Sequence, residues 1–270
     1  MNLSIREKSL FDEATSSNGR DVEALVVQEV SLTFPDGERG LQVLSNITFS
    51  VASEEFVCIL GPSGSGKSSL LRILGGLLSP TKGNVSFPGI GLEDSRQAIG
   101  FVFQKANLMP WRTVLENITL PLELQHVKPD KAMQQAQNLI KLVGLEGFEG
   151  SLPRDLSGGM EQRVAIARAL VYDPSILLLD EPFGALDALT RERMGEELLR
   201  IWQARRKTVI MVTHAITEAV FLADRVLVLS PRPGEIRLDL RVNLPRPREE
   251  EMKYTPQFGD LARSLRSAIG

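Results

Sequence analysis

Short apolar runs alternate with amphipathic segments along most of this chain. The apolar runs have the length and composition of strands that are buried on both faces of a parallel sheet. They cover residues 56–60, 175–179, 208–213 and 225–229. Segments with apolar residues at helical spacing stand among them, at residues 69–74, 161–171, 188–206 and 216–222. This alternation of strands and helices predicts an α/β fold.

Two regions interrupt the alternation. Near the N-terminus, residues 25–34 and 41–51 are strand-like and are separated by a Pro-Asp-Gly turn, which indicates an antiparallel β subdomain ahead of the core. From about residue 105 to 155 the chain lacks strand signals. Residues 114–120 and 131–143 in this region have helical spacing, so we expect a helical insertion subdomain there.

The composition limits the class of protein. The chain has 270 residues, of which 43% are hydrophobic, and this is enough for a sizeable core. The formal net charge of −3 gives no general electrostatic case for binding nucleic acid or an anionic membrane. The single cysteine, Cys58, excludes an internal disulfide and a cysteine-based metal cluster. Its place inside an apolar run predicts a buried structural thiol.

A phosphate-binding loop follows the first of the apolar runs. Residues 61–68 read Gly-Pro-Ser-Gly-Ser-Gly-Lys-Ser, which is the pattern G-x-x-x-x-G-K-[ST] between a predicted strand and a predicted helix. Glycines let successive N–H groups turn toward phosphate oxygens, and the helix adds the positive end of its dipole. Lys67 is placed to bridge the β- and γ-phosphates, and Ser68 is placed to ligate Mg²⁺. The loop therefore predicts nucleotide binding.

Two adjacent acidic residues, Asp180 and Glu181, directly follow the apolar run at residues 175–179. At the carboxyl end of a buried strand, the Asp180 carboxylate is placed to hold Mg²⁺ directly or through water. Glu181 points differently from the strand end and is a candidate to polarise an attacking water molecule. A solvated loop is the alternative, and the apolar strand that leads straight into the pair argues against it.

The order of these features resembles the ATP-binding cassette (ABC) ATPases from about residue 25 to 230. Beyond the phosphate loop and the acidic pair, the resemblance depends on Gln104 as the Q-loop glutamine, residues 156–160 as the signature, residues 185–187 as the D-loop and His214 as the switch histidine. It implies a P-loop NTPase (RecA-like) core that binds ATP and Mg²⁺ and hydrolyses ATP.

The resemblance also implies a role for each matched residue. Glu181 is expected to be the catalytic glutamate, His214 to hold the γ-phosphate and orient that glutamate, and Gln104 to sense Mg²⁺ and water. Ser68, Gln104 and Asp180 are the expected metal ligands. The residues expected to bind nucleotide are Phe34 (by stacking on adenine), Gly61, Pro62, Ser63, Gly64, Ser65, Gly66, Lys67, Ser68, Ser69, Ser157, Gly158, Gly159 and Asp187.

A single phosphate loop with a single signature implies a dimer. In this family Ser157, Gly158 and Gly159 contact the γ-phosphate that is held by the opposite subunit. The signature departs from the family at Met160, where glutamine is usual, and methionine has no amide for the side-chain hydrogen bond to nucleotide that the resemblance implies across the dimer. Gly184 also stands where serine is frequent. Since the serine and both glycines of the signature are kept, we expect activity to survive.

Several segments resemble the nitrate, taurine and aliphatic sulfonate importers within this family. They are residues 107–111, residues 180–187 and the tail from residue 231 to 248. This resemblance implies that the chain energises import of a small anionic solute. Its expected partners are a second ATPase subunit in a homodimer or heterodimer, membrane permease subunits and, indirectly, an external solute-binding protein. Trp111 is a candidate to receive a short permease helix or, alternatively, to fill the core of the helical subdomain.

We expect three parts in the chain. Residues 1–22 are polar and form a flexible N-terminal tail. Residues 23–230 form the ABC ATPase domain, with the helical subdomain at about residues 105–165, and residues 231–270 form a C-terminal extension. The N-terminus has no signal-peptide pattern and no apolar run approaches 18 residues. We therefore expect a peripheral protein at the cytoplasmic face of the inner membrane.

Two alternatives stay open. The first is a soluble ABC ATPase that acts on DNA or ribosomes, and the second is the ATPase subunit of another transporter type. Soluble forms typically carry coiled-coil insertions, zinc cysteines or two cassettes in one chain, and this sequence has none of these. Its one tight basic cluster, at residues 205–207, precedes a predicted strand and fits a solvated turn, so we expect no nucleic acid partner.

Overall fold

The structure is a computed structural model that describes residues 22–35, 40–89 and 98–270. The predicted N-terminal tail lies outside these residues except for Val22, as do Asp36 and Gly37 of the predicted turn. The described residues form a six-stranded sheet and a three-stranded sheet. The predicted α/β fold with an antiparallel β subdomain is confirmed.

The larger sheet carries the core of the molecule. Its strands are β3 (Phe56–Leu60), β5 (Ile99–Val102), β6 (Ile176–Asp180), β7 (Thr208–Val212), β8 (Arg225–Leu229) and β9 (Ile236–Arg241). Their order is β5-β6-β7-β3-β8-β9, with parallel pairing up to β8 and antiparallel pairing of β9. Every residue of β3, β6 and β7 is buried, which explains the continuous apolar runs in the sequence. Cys58 is fully buried in β3, and burial raises the pKa of its thiol.

The smaller sheet covers one face of the larger one. It consists of β1 (Glu23–Phe34), β2 (Leu41–Ala52) and β4 (Lys82–Ser86), and β1 pairs antiparallel with both neighbours. Its inward side chains share one hydrophobic cluster with alternate residues of the larger sheet and with the first helix, α1 (Lys67–Leu74). The antiparallel sheet therefore packs directly over the strand and helix that flank the phosphate loop.

The remaining helices lie on the other side of the larger sheet or extend from it. They are α2 (Val114–Leu124), α3 (Pro129–Leu142), α4 (Gly158–Leu170), α5 (Ala188–Arg205), α6 (Ile216–Leu222) and α7 (Pro256–Ile269), with short 3-10 turns at Pro153–Asp155 and Glu250–Tyr254. Helices α2, α3 and α4 contact one another, and α7 contacts α6, β8 and β9. Among the described residues, no helix is long and apolar enough to cross a membrane.

The segment before α2 is held in an irregular shape by one buried side chain. The Asn117 amide nitrogen donates to the carbonyls of Met109 and Arg112 at 3.2 and 2.9 Å, and the Met109 N–H donates to the Asn117 amide oxygen at 2.8 Å. Trp111 lies inside this segment and is 73% exposed. The alternative that Trp111 fills the core of the helical subdomain is therefore wrong.

The loop between β8 and β9 packs against the phosphate loop. The Gly234 N–H donates to the Val43 carbonyl at 2.9 Å, and the Gly234 carbonyl accepts from the Ser45 N–H at 3.0 Å. A Cβ atom at residue 234 would overlap the Ser65 carbonyl oxygen. Arg232 in the same loop donates from Nε to the Gly64 carbonyl at 3.3 Å. The chain beyond residue 230 thus supports the phosphate loop from outside.

The close approach at Gly234 gives a stability prediction. We expect Gly234→Ala to lower the free energy of unfolding by about 1–3 kcal/mol, because the methyl group needs space that the Ser65 carbonyl occupies. Urea unfolding followed by circular dichroism measures this change. Gly150→Ala is the matched control, since a Cβ atom there meets nothing within 4 Å. The control should shift the free energy by less than about 0.5 kcal/mol. Equal effects of the two substitutions would contradict the steric explanation.

Candidate functional site

The phosphate loop joins β3 to α1 in a conformation that requires glycine. Gly64 and Gly66 have φ angles of 76° and 93°, in the left-handed region that other residues rarely adopt. A Cβ atom at Gly66 would also lie 2.7 Å from Leu44 and 3.0 Å from Val43 of β2. The helix α1 begins directly after Gly66. The first N–H groups of α1 therefore point toward the space that the loop encloses.

The charged and hydroxyl groups of the loop pair with neighbouring oxygens. The Lys67 ammonium donates to the carbonyls of Gly61 and Pro62, both at 2.9 Å. Burial lowers the pKa of Lys67, whose side chain lies below the surface of the loop. The Ser68 hydroxyl donates to the Asp180 carboxylate at 2.8 Å. This contact joins the start of α1 to the carboxyl end of β6.

The oxygen atoms of Ser68 and Asp180 fit a magnesium ion. Mg²⁺ prefers carboxylate, hydroxyl and phosphate oxygens, and these two side chains present such oxygens at one point beside the loop. Asp180 is 5% exposed, and burial raises the pKa of its carboxyl. A nearby cation stabilises the charged form of such a buried carboxylate. In the described part of the chain no group of three or more His, Cys, Asp and Glu side chains could hold a metal.

The three predicted catalytic residues meet at one carboxylate oxygen. Oε2 of Glu181 accepts from the Gln104 amide nitrogen at 3.4 Å and lies 3.3 Å from Nδ1 of His214. Glu181 has a φ of 44°, an uncommon value for a residue other than glycine. Its N–H donates to the Val212 carbonyl at 3.0 Å, and its carbonyl accepts from the Gly184 N–H at 3.0 Å. Such backbone strain costs about 1–3 kcal/mol and is concentrated at functional sites.

A second group of side chains supports this cluster, and the sequence analysis did not single it out. The Thr213 hydroxyl donates to the Glu218 carboxylate at 2.6 Å. The Arg191 guanidinium lies 3.5 Å from the same carboxylate and donates to the Leu186 carbonyl at 3.1 Å. Burial raises the pKa of Glu218. Arg191 and Glu218 are far apart in sequence, so the contact between them leaves no local signal.

The signature and the D-loop lie at the starts of two helices. Ser157 caps α4, with its hydroxyl accepting from the Met160 N–H at 3.3 Å. Asp187 caps α5, because its carboxylate accepts from the N–H and the hydroxyl of Thr190 at 3.0 and 2.7 Å. These hydrogen bonds lower the pKa of Asp187. Met160 is partly buried against the core. Its side chain contributes to packing where the family usually has a polar amide.

The two signature glycines pack against the same region. A Cβ atom at Gly158 would lie 3.4 Å from the Leu186 side chain, and one at Gly159 would lie 3.1 Å from the Thr190 side chain. Within residues 22–35, 40–89 and 98–270, no hydrogen bond joins the signature to the phosphate loop. The chain therefore brings the signature to its own D-loop, while the phosphate loop is placed with the acidic pair.

The other predicted nucleotide-binding residues of this region lie in the phosphate loop, in α1 and at the end of β1. Ser63 is exposed at its tip, and Ser69 is partly buried in the first turn of α1. Ser65 is fully buried, with no hydrogen-bond partner for its hydroxyl. Phe34 lies at the end of β1 opposite Leu41 of β2, with 38% of its surface exposed. Its position leaves the ring accessible to a planar ligand.

Gly184 lies within reach of the catalytic cluster. A Cβ atom there would lie 3.5 Å from the Gln104 amide nitrogen and 3.5 Å from a Glu181 carboxylate oxygen. These are ordinary van der Waals distances, so the site has room for a small side chain. The absence of a serine at this position leaves the cluster without a hydroxyl beside its carboxylate.

Comparison with known proteins identifies the family. A family model described as ABC transporter matches residues 44–184. An uncharacterized ABC transporter ATP-binding protein, MJ0412 of Methanocaldococcus jannaschii, is 47% identical over 88% of this chain and 89% of its own length. The aliphatic sulfonates import ATP-binding protein SsuB of Bacillus thuringiensis subsp. konkukian is 46% identical over 86% of this chain and 91% of its own. The nitrate import ATP-binding protein NrtD of Synechocystis sp. is 46% identical over 82% and 86%.

A solved structure supports the same assignment. The dimeric structure of a post-hydrolysis state of the ATP-binding cassette MJ0796, bound to ADP and Pi, is similar with a TM-score of 0.71 and 36% identity. The similarity covers 82% of this chain and 99% of that one. The predicted P-loop NTPase fold and the resemblance to the nitrate, taurine and sulfonate importer ATPases are confirmed. The chain therefore belongs to the ABC transporter family, and it is an ATP-binding cassette ATPase.

Proposed function

We propose that this chain is the ATP-hydrolysing subunit that energises an importer for a small anionic solute. The observation that carries the hydrolytic part is the meeting of Gln104 and His214 at the Glu181 carboxylate, beside the hydrogen-bonded pair of Ser68 and Asp180. The names of the sulfonate and nitrate relatives support a small anion as the class of cargo. We expect the solute itself to contact the permease and its binding protein and not this chain.

The phosphate loop provides the binding site for the ATP phosphates. Its backbone N–H groups and the start of α1 bind phosphate oxygens, and Phe34 stacks on the adenine. Lys67 exchanges the Gly61 and Pro62 carbonyls for the β- and γ-phosphates. Ser68, Asp180 and Gln104 are the residues that would hold Mg²⁺, which neutralises phosphate charge when it is bound. Contacts of Ser68 with Asp180 and of Gln104 with Glu181 support this assignment.

Glu181 is the proposed acceptor for the proton of the attacking water. The water oxygen forms a bond to the γ-phosphorus, the bond from that phosphorus to the bridging oxygen breaks, and ADP and phosphate form. His214 holds the Glu181 carboxylate in place at 3.3 Å and is the residue that we expect to contact the γ-phosphate. Gln104 contacts the same oxygen from the carboxyl end of β5, the neighbour of β6 on the side away from β7.

A second ATPase subunit completes each nucleotide site. Ser157, Gly158 and Gly159 are expected to bind the γ-phosphate of ATP held by the partner subunit, in a homodimer or a heterodimer. Ser157 and the N–H groups at the start of α4 offer a hydroxyl and a helix dipole for this purpose. ATP binding would close the dimer and turn the attached permease outward, and hydrolysis would reopen it.

The helical subdomain offers a docking point for permease subunits. Trp111 is exposed in a segment whose shape Asn117 fixes. A rigid exposed aromatic side chain is the kind of residue that dominates interface energies. Attachment there would hold the chain at the cytoplasmic face of the membrane. The permease would then connect it indirectly to an external solute-binding protein.

The alternative of an ATPase that acts on DNA or ribosomes gains no support from the basic cluster. Arg205 ends α5, and Arg206 adopts a left-handed conformation that terminates the helix. Lys207 forms an ion pair with Asp173 at 2.9 Å, and its carbonyl accepts from the Trp202 indole. The cluster therefore serves the junction between α5 and β7.

Substitution of the proposed proton acceptor tests the hydrolytic mechanism. We expect Glu181→Gln to lower kcat by about 10²–10⁴-fold, because the amide cannot accept the proton from water. ATP binding should persist, and size-exclusion chromatography with light scattering should detect an accumulated ATP-bound dimer. Glu196→Gln, at an exposed position of α5, is the matched control and should retain wild-type turnover. Wild-type turnover in Glu181→Gln would refute the assigned role.

Substitution of the exposed tryptophan tests the transport assignment. A tagged wild-type chain, purified from its own cells in mild detergent, should recover a multi-spanning membrane protein that mass spectrometry identifies. We expect Trp111→Ala to weaken this association by about 30-fold or more, as for a central aromatic anchor, while the ATPase rate of the isolated chain is kept. Tyr254→Ala, which removes another exposed aromatic ring, is the control. Recovery of only ribosomal or DNA-repair proteins by the wild-type chain would refute the importer assignment.

The binding protein of the same transport system tests the cargo class. After the permease and this binding protein have both been identified, calorimetric titration of the binding protein with nitrate, taurine and alkyl sulfonates should detect binding of one of these solutes. Titration with neutral sugars and with cationic amino acids is the control. Binding of a sugar or a cation alone would refute the proposed class and leave the ATPase assignment unaffected.

A further inference from the structure

One arginine connects the D-loop to the segment that carries the switch histidine. Arg191 lies in the first turn of α5, directly after the D-loop residues 185–187. Its Nη2 donates to the Leu186 carbonyl at 3.1 Å, which fixes the backbone of the D-loop. Its Nε lies 3.5 Å from Oε1 of Glu218 on α6. The guanidinium group thus connects the D-loop to α6, which is far from it in sequence.

The connection continues from Glu218 to the catalytic carboxylate. The other Glu218 oxygen accepts from the Thr213 hydroxyl at 2.6 Å, and that hydroxyl accepts from the Ala215 N–H at 3.0 Å. His214 therefore lies between Thr213, which is hydrogen-bonded to Glu218, and Ala215, whose N–H is hydrogen-bonded to Thr213. Nδ1 of His214 lies 3.3 Å from Oε2 of Glu181. Contacts run without a gap from the D-loop to the proposed proton acceptor.

Burial makes this connection stronger than a surface ion pair. The side chains of Arg191 and Glu218 are 29% and 14% exposed, so water screens their attraction only in part. Burial is the main reason that the pKa of Glu218 is raised, and the negative charge of Glu181 adds to the rise. The hydrogen bond from Thr213 and the charges of Arg191 and His214 act in the opposite direction. Without Arg191, the mostly buried Glu218 carboxylate would lack this cationic partner. The hydrogen bond that positions Thr213, next to His214, would then be less well fixed.

We propose that Arg191 and Glu218 are positioning residues that couple the D-loop to His214. A displacement of the Leu186 backbone moves the guanidinium, and the guanidinium moves the Glu218 carboxylate to which Thr213 is bonded. The conformation of the D-loop thereby sets the orientation of the His214 imidazole relative to Glu181. This inference depends on the proposed function, in which Glu181 receives the proton from water and the D-loop faces a second ATPase subunit.

The first test separates positioning from binding and folding. We expect Arg191→Ala to lower kcat by about tenfold to a hundredfold, with the KM for ATP changed by less than about threefold. Arg193→Ala is the matched control, because this arginine is exposed on the same helix. ATP affinity and the urea midpoint are measured for both variants. A turnover equal to that of Arg193→Ala would overturn the proposal, and so would a loss of turnover that follows ATP affinity or stability.

The hydroxyl of Thr213 gives a second test that keeps the charges intact. Thr213→Val preserves the shape of the side chain but removes the donor to Glu218, so kcat should fall by about as much as in Arg191→Ala, that is, about tenfold or more. Thr213→Ser keeps the hydroxyl and should restore turnover to within about threefold of wild type. Equal turnover in the valine and serine variants would overturn the connection through this hydroxyl.

A double-mutant cycle tests whether the two residues act together. Glu218→Gln removes the charge that Arg191 faces and should lower kcat on its own. If the residues form one connection, kcat of the double variant Arg191→Ala/Glu218→Gln should lie within about twofold of kcat of the less active single variant. A kcat that falls by the product of the two single-variant reductions would overturn the coupling. Glu181→Gln is assayed in parallel, since wild-type turnover in that variant would refute the proposed function itself, while its inactivity together with additive single effects would refute only the coupling.

Discussion

Parallel pairing of β5, β6, β7 and β3 forces the chain to leave these strands at a single edge of the larger sheet. Ligands in open α/β sheets bind at this edge for the same reason. Gln104, Glu181 and His214 come from distant parts of the sequence and meet at one carboxylate because of this edge. A shift of one residue between β6 and β7 would turn these side chains to opposite faces. The buried pairing of Leu179 with Met211 therefore fixes the register on which the chemistry depends.

The charged groups of the site that bind within the chain do so for a physical reason, while the buried Ser65 hydroxyl has no partner among the described residues. Lys67 binds two carbonyls, Asp180 accepts from Ser68, and Asp187 caps α5. Buried or half-buried polar atoms without partners would cost free energy, so each contact satisfies a group until phosphate or another ligand takes its place. Exchange of one hydrogen bond for another changes the net energy little. It lets the site bind a strongly charged substrate without a large rearrangement of its backbone.

Local sequence was enough for the parts of the fold and site that depend on local rules. The apolar run before Asp180 predicted a buried strand, because a continuous apolar sequence indicates burial on both faces. The glycines of the phosphate loop indicated a backbone conformation that other residues rarely adopt. The boundary of α2 was less predictable. The helix continues through Pro121 to Leu124, whereas the pattern ended before the proline. Long-range contacts could not be predicted from the sequence, because no residue near Arg191 indicates that Glu218 lies beside it.

The tail after residue 230 shows how such distant contacts complete the core. Arg248 is 8% exposed and donates to the carbonyls of Val220 and Ala223 at the end of α6, whose own helix leaves these groups unpaired. Burial lowers the pKa of Arg248 to about 10, so the guanidinium stays charged at neutral pH. Its positive charge is attracted to the negative C-terminal end of the α6 dipole. Helix α6 follows the switch histidine, while Gly234 at the other end of the tail abuts the phosphate loop. The tail thus contacts the phosphate loop near one end and the C-terminal end of α6 near the other, and its proline-rich sequence has a structural role that no catalytic motif explains.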